Sequence, residues 1–135
     1  MNMSVKNARS IQTVTITDCM LSLEEFIAVA KYGAKVEFAP EMVETVKANR
    51  KLLDKFLEEG RIIYGVTTGF GENVRYTISP KDATTLQENI VRTHSCAVGE
   101  PLDREQARAV MLMTILNAGK GLSGIRIGTL DLIRK

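Results

Sequence analysis

Ile62-Ile63-Tyr64-Gly65-Val66-Thr67-Thr68-Gly69-Phe70-Gly71-Glu72 is the stretch on which the reading of this chain turns. Three glycines fall between Gly65 and Gly71, a tyrosine leads them in, and two threonines sit in the middle. Glycine at this density suits positive φ and close backbone approach. It disfavours a helix and weakens a strand. The stretch therefore reads as an ordered loop that presents Tyr64 and several backbone amides. Two uses of such a loop stay open on these residues alone: a glycine-rich turn with a packing tyrosine, or a functional loop. As a general base, a tyrosine needs its phenol pKa brought down toward the working pH. Neighbouring glycines let a substrate approach, and loop amides stabilise an anion.

Working upstream, Pro40 opens a long helix in which Met42, Val43, Val46, Leu53, Phe56 and Leu57 fall near helical spacing, and Gly60 stops it. Thr13 to Thr17 alternates and is β-branched, which predicts a short strand. Ser22 caps a helix with Glu24 and Glu25 in its first turn, running to about Tyr32, and Gly33 ends it. Lys35-Val36-Glu37-Phe38 alternates again and pairs with the first strand as a small two-stranded ribbon, which needs helices to pack on. Residues 1–10 are polar and read as loose.

Working downstream, the loop extends as far as Ile78. Ser79-Pro80-Lys81-Asp82 starts a helix that carries Leu86, Ile90, Val91, His94 and Ala97 on one side. Gly99-Glu100-Pro101 breaks it. Asp103 caps the next helix, with Gln106 as its capping-box partner. From Ala107 to Ala118 that helix is apolar all round, which predicts burial on most sides. Gly119, Gly121 and Gly124 mark a second glycine-rich turn, and a last helix begins there and still runs at Lys135. So apolar a helix and so abrupt an ending lead us to expect a piece of a larger structure, or a subunit that docks on one.

With 135 residues, 44% hydrophobic, 25% charged and a net charge of +2, the composition is that of an ordinary soluble, mainly α domain. The basic excess is too small and scattered to argue for nucleic acid or an anionic membrane, and no apolar run approaches bilayer length. Nor does the N-terminus carry a signal-peptide core. Cys19 and Cys96 lack metal spacing, so buried free thiols in a reducing cytoplasm are expected. One histidine and no clustered carboxylates argue against an intrinsic metal site. His94 is either a core group on the apolar side of its helix or, facing a cavity, a partner for a polar ring substituent. Glu72 and Arg75 read as loop-edge charges, Gln87 and Asn89 as mid-helix polar groups. Ser123 and Arg126 read as groups that cap and neutralise a helix end.

Taken together, four blocks carry a resemblance: Tyr64 to Gly71, Leu86-Gln87-Glu88-Asn89-Ile90-Val91-Arg92-Thr93-His94, Val98-Gly99-Glu100-Pro101-Leu102, and Lys120-Gly121-Leu122-Ser123-Gly124-Ile125-Arg126. In this order and spacing the chain resembles the N-terminal region of the aromatic amino acid ammonia-lyases and aminomutases, histidine ammonia-lyase above all, from about residue 12 to 135. The resemblance implies a single partial domain, 1–135, of a mostly helical, cytoplasmic homotetramer that eliminates ammonia from an aromatic L-amino acid. It implies a methylidene-imidazolone electrophile made from an internal Ala-Ser-Gly. No such triple occurs in these residues, so the group is expected on another segment or chain, together with the remaining lyase polypeptide or other subunits as partners. Carried over position by position, Tyr64 is the catalytic base, His94 reads the substrate ring, Gly71 belongs to the substrate-binding loop, and Gly65 and Gly69 shape it. A histidine at position 94 points to L-histidine first and tyrosine second, whether for a tyrosine ammonia-lyase or a tyrosine 2,3-aminomutase. Thr67 stands where many histidine lyases have Asn, and Thr114 and Leu116 replace a common Arg and Asn. A non-catalytic, lyase-derived interaction module is the remaining alternative. The chain alone is expected to be inactive.

Overall fold

The computed structural model describes residues 7–17 and 20–135. The expectations for residues 1–6 and for Cys19 lie outside the described residues. The chain folds as two compact units, Met1–Leu53 with Pro101–Lys135, and Asp54–Glu100.

The first unit begins with β1 (Thr13–Ile16), α1 (Leu23–Ala30) and β2 (Lys35–Phe38). The strands pair in parallel, from Thr13 opposite Lys35 to Ile16 opposite Phe38. Parallel pairing requires a crossover, and α1 supplies it. Its start is a full capping box: the Ser22 hydroxyl accepts from the Glu25 amide, and the Glu25 carboxylate accepts from the Ser22 amide at 2.8 Å. Gly33 closes the crossover at φ 71°. Residues 7–10, expected to be loose, instead form a helical turn that buries Ala8, because a small apolar side chain there reaches the core. The strand alternation turns Val14, Ile16 and Val36 inward, where they join Met42 and Val46 of α2 (Pro40–Glu58).

α4 (Arg104–Ala118) and α5 (Ile127–Arg134) complete this core with Leu112, Ile115, Leu116 and Leu130. Each fully buried aliphatic side chain of this size stabilises by about 1.5–3 kcal/mol. The capping box of α4 forms between Asp103 and Gln106 as read from the sequence. Its burial on most sides does not. Only the stripe at 112, 115 and 116 is buried, while Val110 and Met113 are 57% and 53% exposed. The described chain packs α1 and α5 on α4 and has no further layer for its outer face.

The turn after α4 explains its glycines. Gly121 and Gly124 both take φ 68°. A Cβ at Gly121 would lie 2.7 Å from Thr45 Cγ2, and one at Gly124 would collide with Leu53 Cδ2. Asn49 Oδ1 accepts from the Gly124 amide at 2.7 Å, and Arg50 donates to its carbonyl at 3.3 Å. The turn is therefore pressed onto α2. Arg126 does not cap through its side chain as expected: it is the N-cap residue of α5 and makes no side-chain cap bond.

The second unit contains the end of α2, the glycine-rich loop and α3 (Pro80–His94). Ser79 caps α3 through the Asp82 amide. The loop runs as far as Ile78, as read, with a 3-10 turn over Gly71–Arg75 and a Thr68–Thr77 bridge inside it. Among the described residues, no apolar side chain of this unit is fully buried. The expected apolar side of α3 is accordingly weak. Leu86 and Ile90 are half-buried, Val91 and His94 are exposed, and Ala97 lies past the helix end. Cys96, expected to be a buried thiol, is exposed for the same reason: the helix stops at His94 and leaves it on surface chain. Among the described residues no helix is long and apolar enough to cross a membrane.

Candidate active site

The loop is launched by a Schellman ending of α2. The Arg61 amide donates to the Phe56 carbonyl and the Gly60 amide to Leu57, with Gly60 at φ 69°. The guanidinium of Arg61 then lies over the Phe56 ring at 4.0 Å. A tight turn follows, in which the Val66 and Thr67 amides both donate to the Ile63 carbonyl. Tyr64 and Gly65 form its apex.

Gly65 takes φ 69°, and a Cβ there would stand 2.8 Å from Phe70 Cε1. The Phe70 ring thus sits against bare backbone, and meets the Tyr64 ring edge-on at 6.0 Å and 73°. Gly69 is required by space instead, since a Cβ would be 2.6 Å from the Asn73 carbonyl. Gly71, at φ 55°, has open space around the missing Cβ, and its amide donates to the Tyr64 hydroxyl at 3.2 Å. Tyr64 itself is 61% exposed. The structure therefore gathers Tyr64, Gly65, Gly69 and Gly71 into one small assembly.

His94 is held apart from it, at the last position of α3. Its Nδ1 lies 3.0 Å from the Ile90 carbonyl and 3.1 Å from the Thr93 hydroxyl. A carbonyl can only accept, so Nδ1 carries a hydrogen, and the ring is exposed. The link between loop and helix is Gln87, whose side-chain amide donates to the Gly65 carbonyl at 3.4 Å. Seven residues separate Gln87 from His94, about 10 Å along the helix axis. Sequence reasoning took Gln87 for a generic polar group, although its place in the Leu86-to-His94 block was the available signal. It also passed over Thr68, whose hydroxyl is buried inside the loop. Glu72 and Arg75 are exposed, as read.

A model of the aromatic amino acid lyase family matches residues 21–135. The chain belongs to that family. Histidine ammonia-lyase of Streptococcus sanguinis (strain SK36) is 49% identical to this lyase-family chain over 111 residues, 82% of the chain and 22% of that relative. Among solved structures, the ergothioneine-degrading enzyme ergothionase of Treponema denticola superposes with a TM-score of 0.86 at 29% identity, over 90% of this chain and 24% of the other. Histidine ammonia-lyase of Trypanosoma cruzi gives 0.78 at 33% identity, again over 90% and 24%. The lyase-family chain thus spans less than a quarter of the length of these relatives.

Proposed function

We propose that this chain supplies the base loop of a histidine ammonia-lyase, which converts L-histidine to urocanate and ammonia. The observation that carries the proposal is the Tyr64 hydroxyl on an exposed loop apex, fixed by the Gly71 amide and not sequestered in a core. That donor holds the phenol oxygen, and as the phenolate, its own hydrogen already lost, the oxygen keeps lone pairs to take the β-proton of the amino acid. A positioned general base contributes about 10²- to 10⁴-fold to rate. His94 offers Nε2 of an exposed ring to the ring of a histidine substrate, and Gly71 lines the approach to the base.

A methylidene-imidazolone, when present, supplies the electrophile that makes the substrate amine a leaving group. The chain has no Ala-Ser-Gly triple, so its own residues would not form that group. They fit beside one: the base loop is built, glycine-lined and open, with Tyr64 uncovered toward whatever stands opposite. Removing a weakly acidic carbon-bound proton works best away from bulk water. Enclosure of Tyr64 therefore falls to the remaining lyase polypeptide or to other subunits of a tetramer in the cytoplasm, and the chain alone is inactive.

The test is absorbance at the arylacrylate band with L-histidine and then L-tyrosine, using the chain assembled with its remaining lyase polypeptide. Urocanate forms only in the assembly, and Tyr64→Phe lowers turnover at least 100-fold while assembly persists. Unchanged turnover in that variant would remove Tyr64 from the base role, and a product from tyrosine alone would replace the substrate.

A further inference from the structure

We propose that Thr68, assisted by Thr67, is a positioning residue for Tyr64. The proposal rests on the reading of Tyr64 as the base. Tyr64 is flanked by Ile63 and Gly65, and both flanking amides donate to threonine hydroxyls. The Ile63 amide reaches Thr67 Oγ1 at 2.8 Å and the Gly65 amide reaches Thr68 Oγ1 at 3.2 Å. Each hydroxyl passes its own hydrogen onward, Thr67 to the Arg61 carbonyl at 3.0 Å and Thr68 to the Gly69 carbonyl at 2.9 Å. The base is thus gripped on both sides by a donor-acceptor bridge.

The two bridges differ in weight. Thr68 is 1% exposed, the one polar side chain buried so far among the described residues. Solvent reaches so buried a hydroxyl poorly, so deleting it strands the half-buried Gly65 amide and the buried Gly69 carbonyl. Thr67 is half-buried, and solvent can substitute for part of its role. The Thr68 bridge also spans the turn: by tying Gly65 to Gly69 it sets the distance across which the Tyr64 hydroxyl meets the Gly71 amide. Gln87 holds the outer side of the same peptide through the Gly65 carbonyl. Among the described residues no other hydroxyl of the loop bonds backbone on both sides of the turn.

The variants are Thr68→Val, which keeps the shape and loses the hydroxyl, and Thr68→Ser, which keeps it. In the assembled enzyme acting on L-histidine, Thr68→Val should lower kcat about 10- to 100-fold, the scale of a misplacement near 1 Å, with KM changed less than about threefold. Thr68→Ser should recover most of the loss. Added to Tyr64→Phe, Thr68→Val should cost nothing further, because residues acting as one unit are not additive. Wild-type kcat in Thr68→Val beside an inactive Tyr64→Phe overturns the positioning role and leaves the base role standing. A full additional loss in the double variant overturns it too. Amide exchange over residues 62–71 of the assembled protein, read by mass spectrometry, is independent of turnover. It should quicken in Thr68→Val and return in Thr68→Ser, and unchanged exchange sinks the proposal whatever the kinetics.

Discussion

Gly65→Ala tests the architecture of the loop more sharply than any change to Tyr64, because the fold provides its own control. Gly60 and Gly65 share φ 69°, yet a Cβ at Gly60 meets nothing within 4 Å whereas one at Gly65 meets Phe70 Cε1 at 2.8 Å. Alanine in the left-handed region costs about 1–2 kcal/mol at either site. At Gly65 the Phe70 ring must also tip away, since carbon atoms pack best at about 3.5–4.0 Å. Tipping sacrifices the edge-on contact with Tyr64, worth about 0.5–1.5 kcal/mol. The expected totals are about 1.5–3.5 kcal/mol for Gly65→Ala and about 1–2 kcal/mol for Gly60→Ala. The catalytic split should be wider, because Phe70 shoulders the ring of the base. Turnover of the assembled enzyme should fall at least about tenfold in Gly65→Ala and stay within about twofold in Gly60→Ala. Urea unfolding and steady-state kinetics on the two variants check both numbers. Indistinguishable variants in both assays would refute the idea that Phe70 packs on bare backbone to set Tyr64.

Two further predictions concern the first unit. Gly124→Ala combines a left-handed φ of 68° with a collision against Leu53, so it should destabilise by about 3 kcal/mol or more and be read as a fall in thermal midpoint. Leu130→Ala removes a side chain with 0% exposure from the core and should cost about 2–5 kcal/mol by urea unfolding; a loss below about 1 kcal/mol would contradict its burial.

Much of this fold was legible because its punctuation is local. Ser22, Ser79 and Asp103 open helices by satisfying amides within their own first turns, and Pro40 opens one because it has no amide hydrogen to satisfy and a preset φ, so short windows of sequence suffice. The parallel pairing of β1 and β2 follows from the crossover and was not specified by their alternation. Exposure was the harder property. Periodicity marks α4 as apolar and α3 as amphipathic, but says nothing about which layers are present to cover them, and so Val110, Met113 and His94 stand in solvent in this chain. In the site, Tyr64 and its glycines were legible from a dense local block. Gln87 and Thr68 were not. Their roles depend on the carbonyl and amide of Gly65, which only a folded loop brings within reach.

The core of the first unit joins residues from both ends of the chain. Val46 packs in the same cluster as Leu130, although the whole loop unit separates them in the sequence. During synthesis the β1-α1-β2 crossover and α2 therefore emerge with their apolar faces unmatched. At 5–20 residues per second, the roughly 80 residues in between take about 4–16 s to translate. The nascent first half must pass that interval either loosely collapsed or guarded by a chaperone. Coding changes that slow translation through the loop lengthen the exposure without altering a single contact in the finished protein.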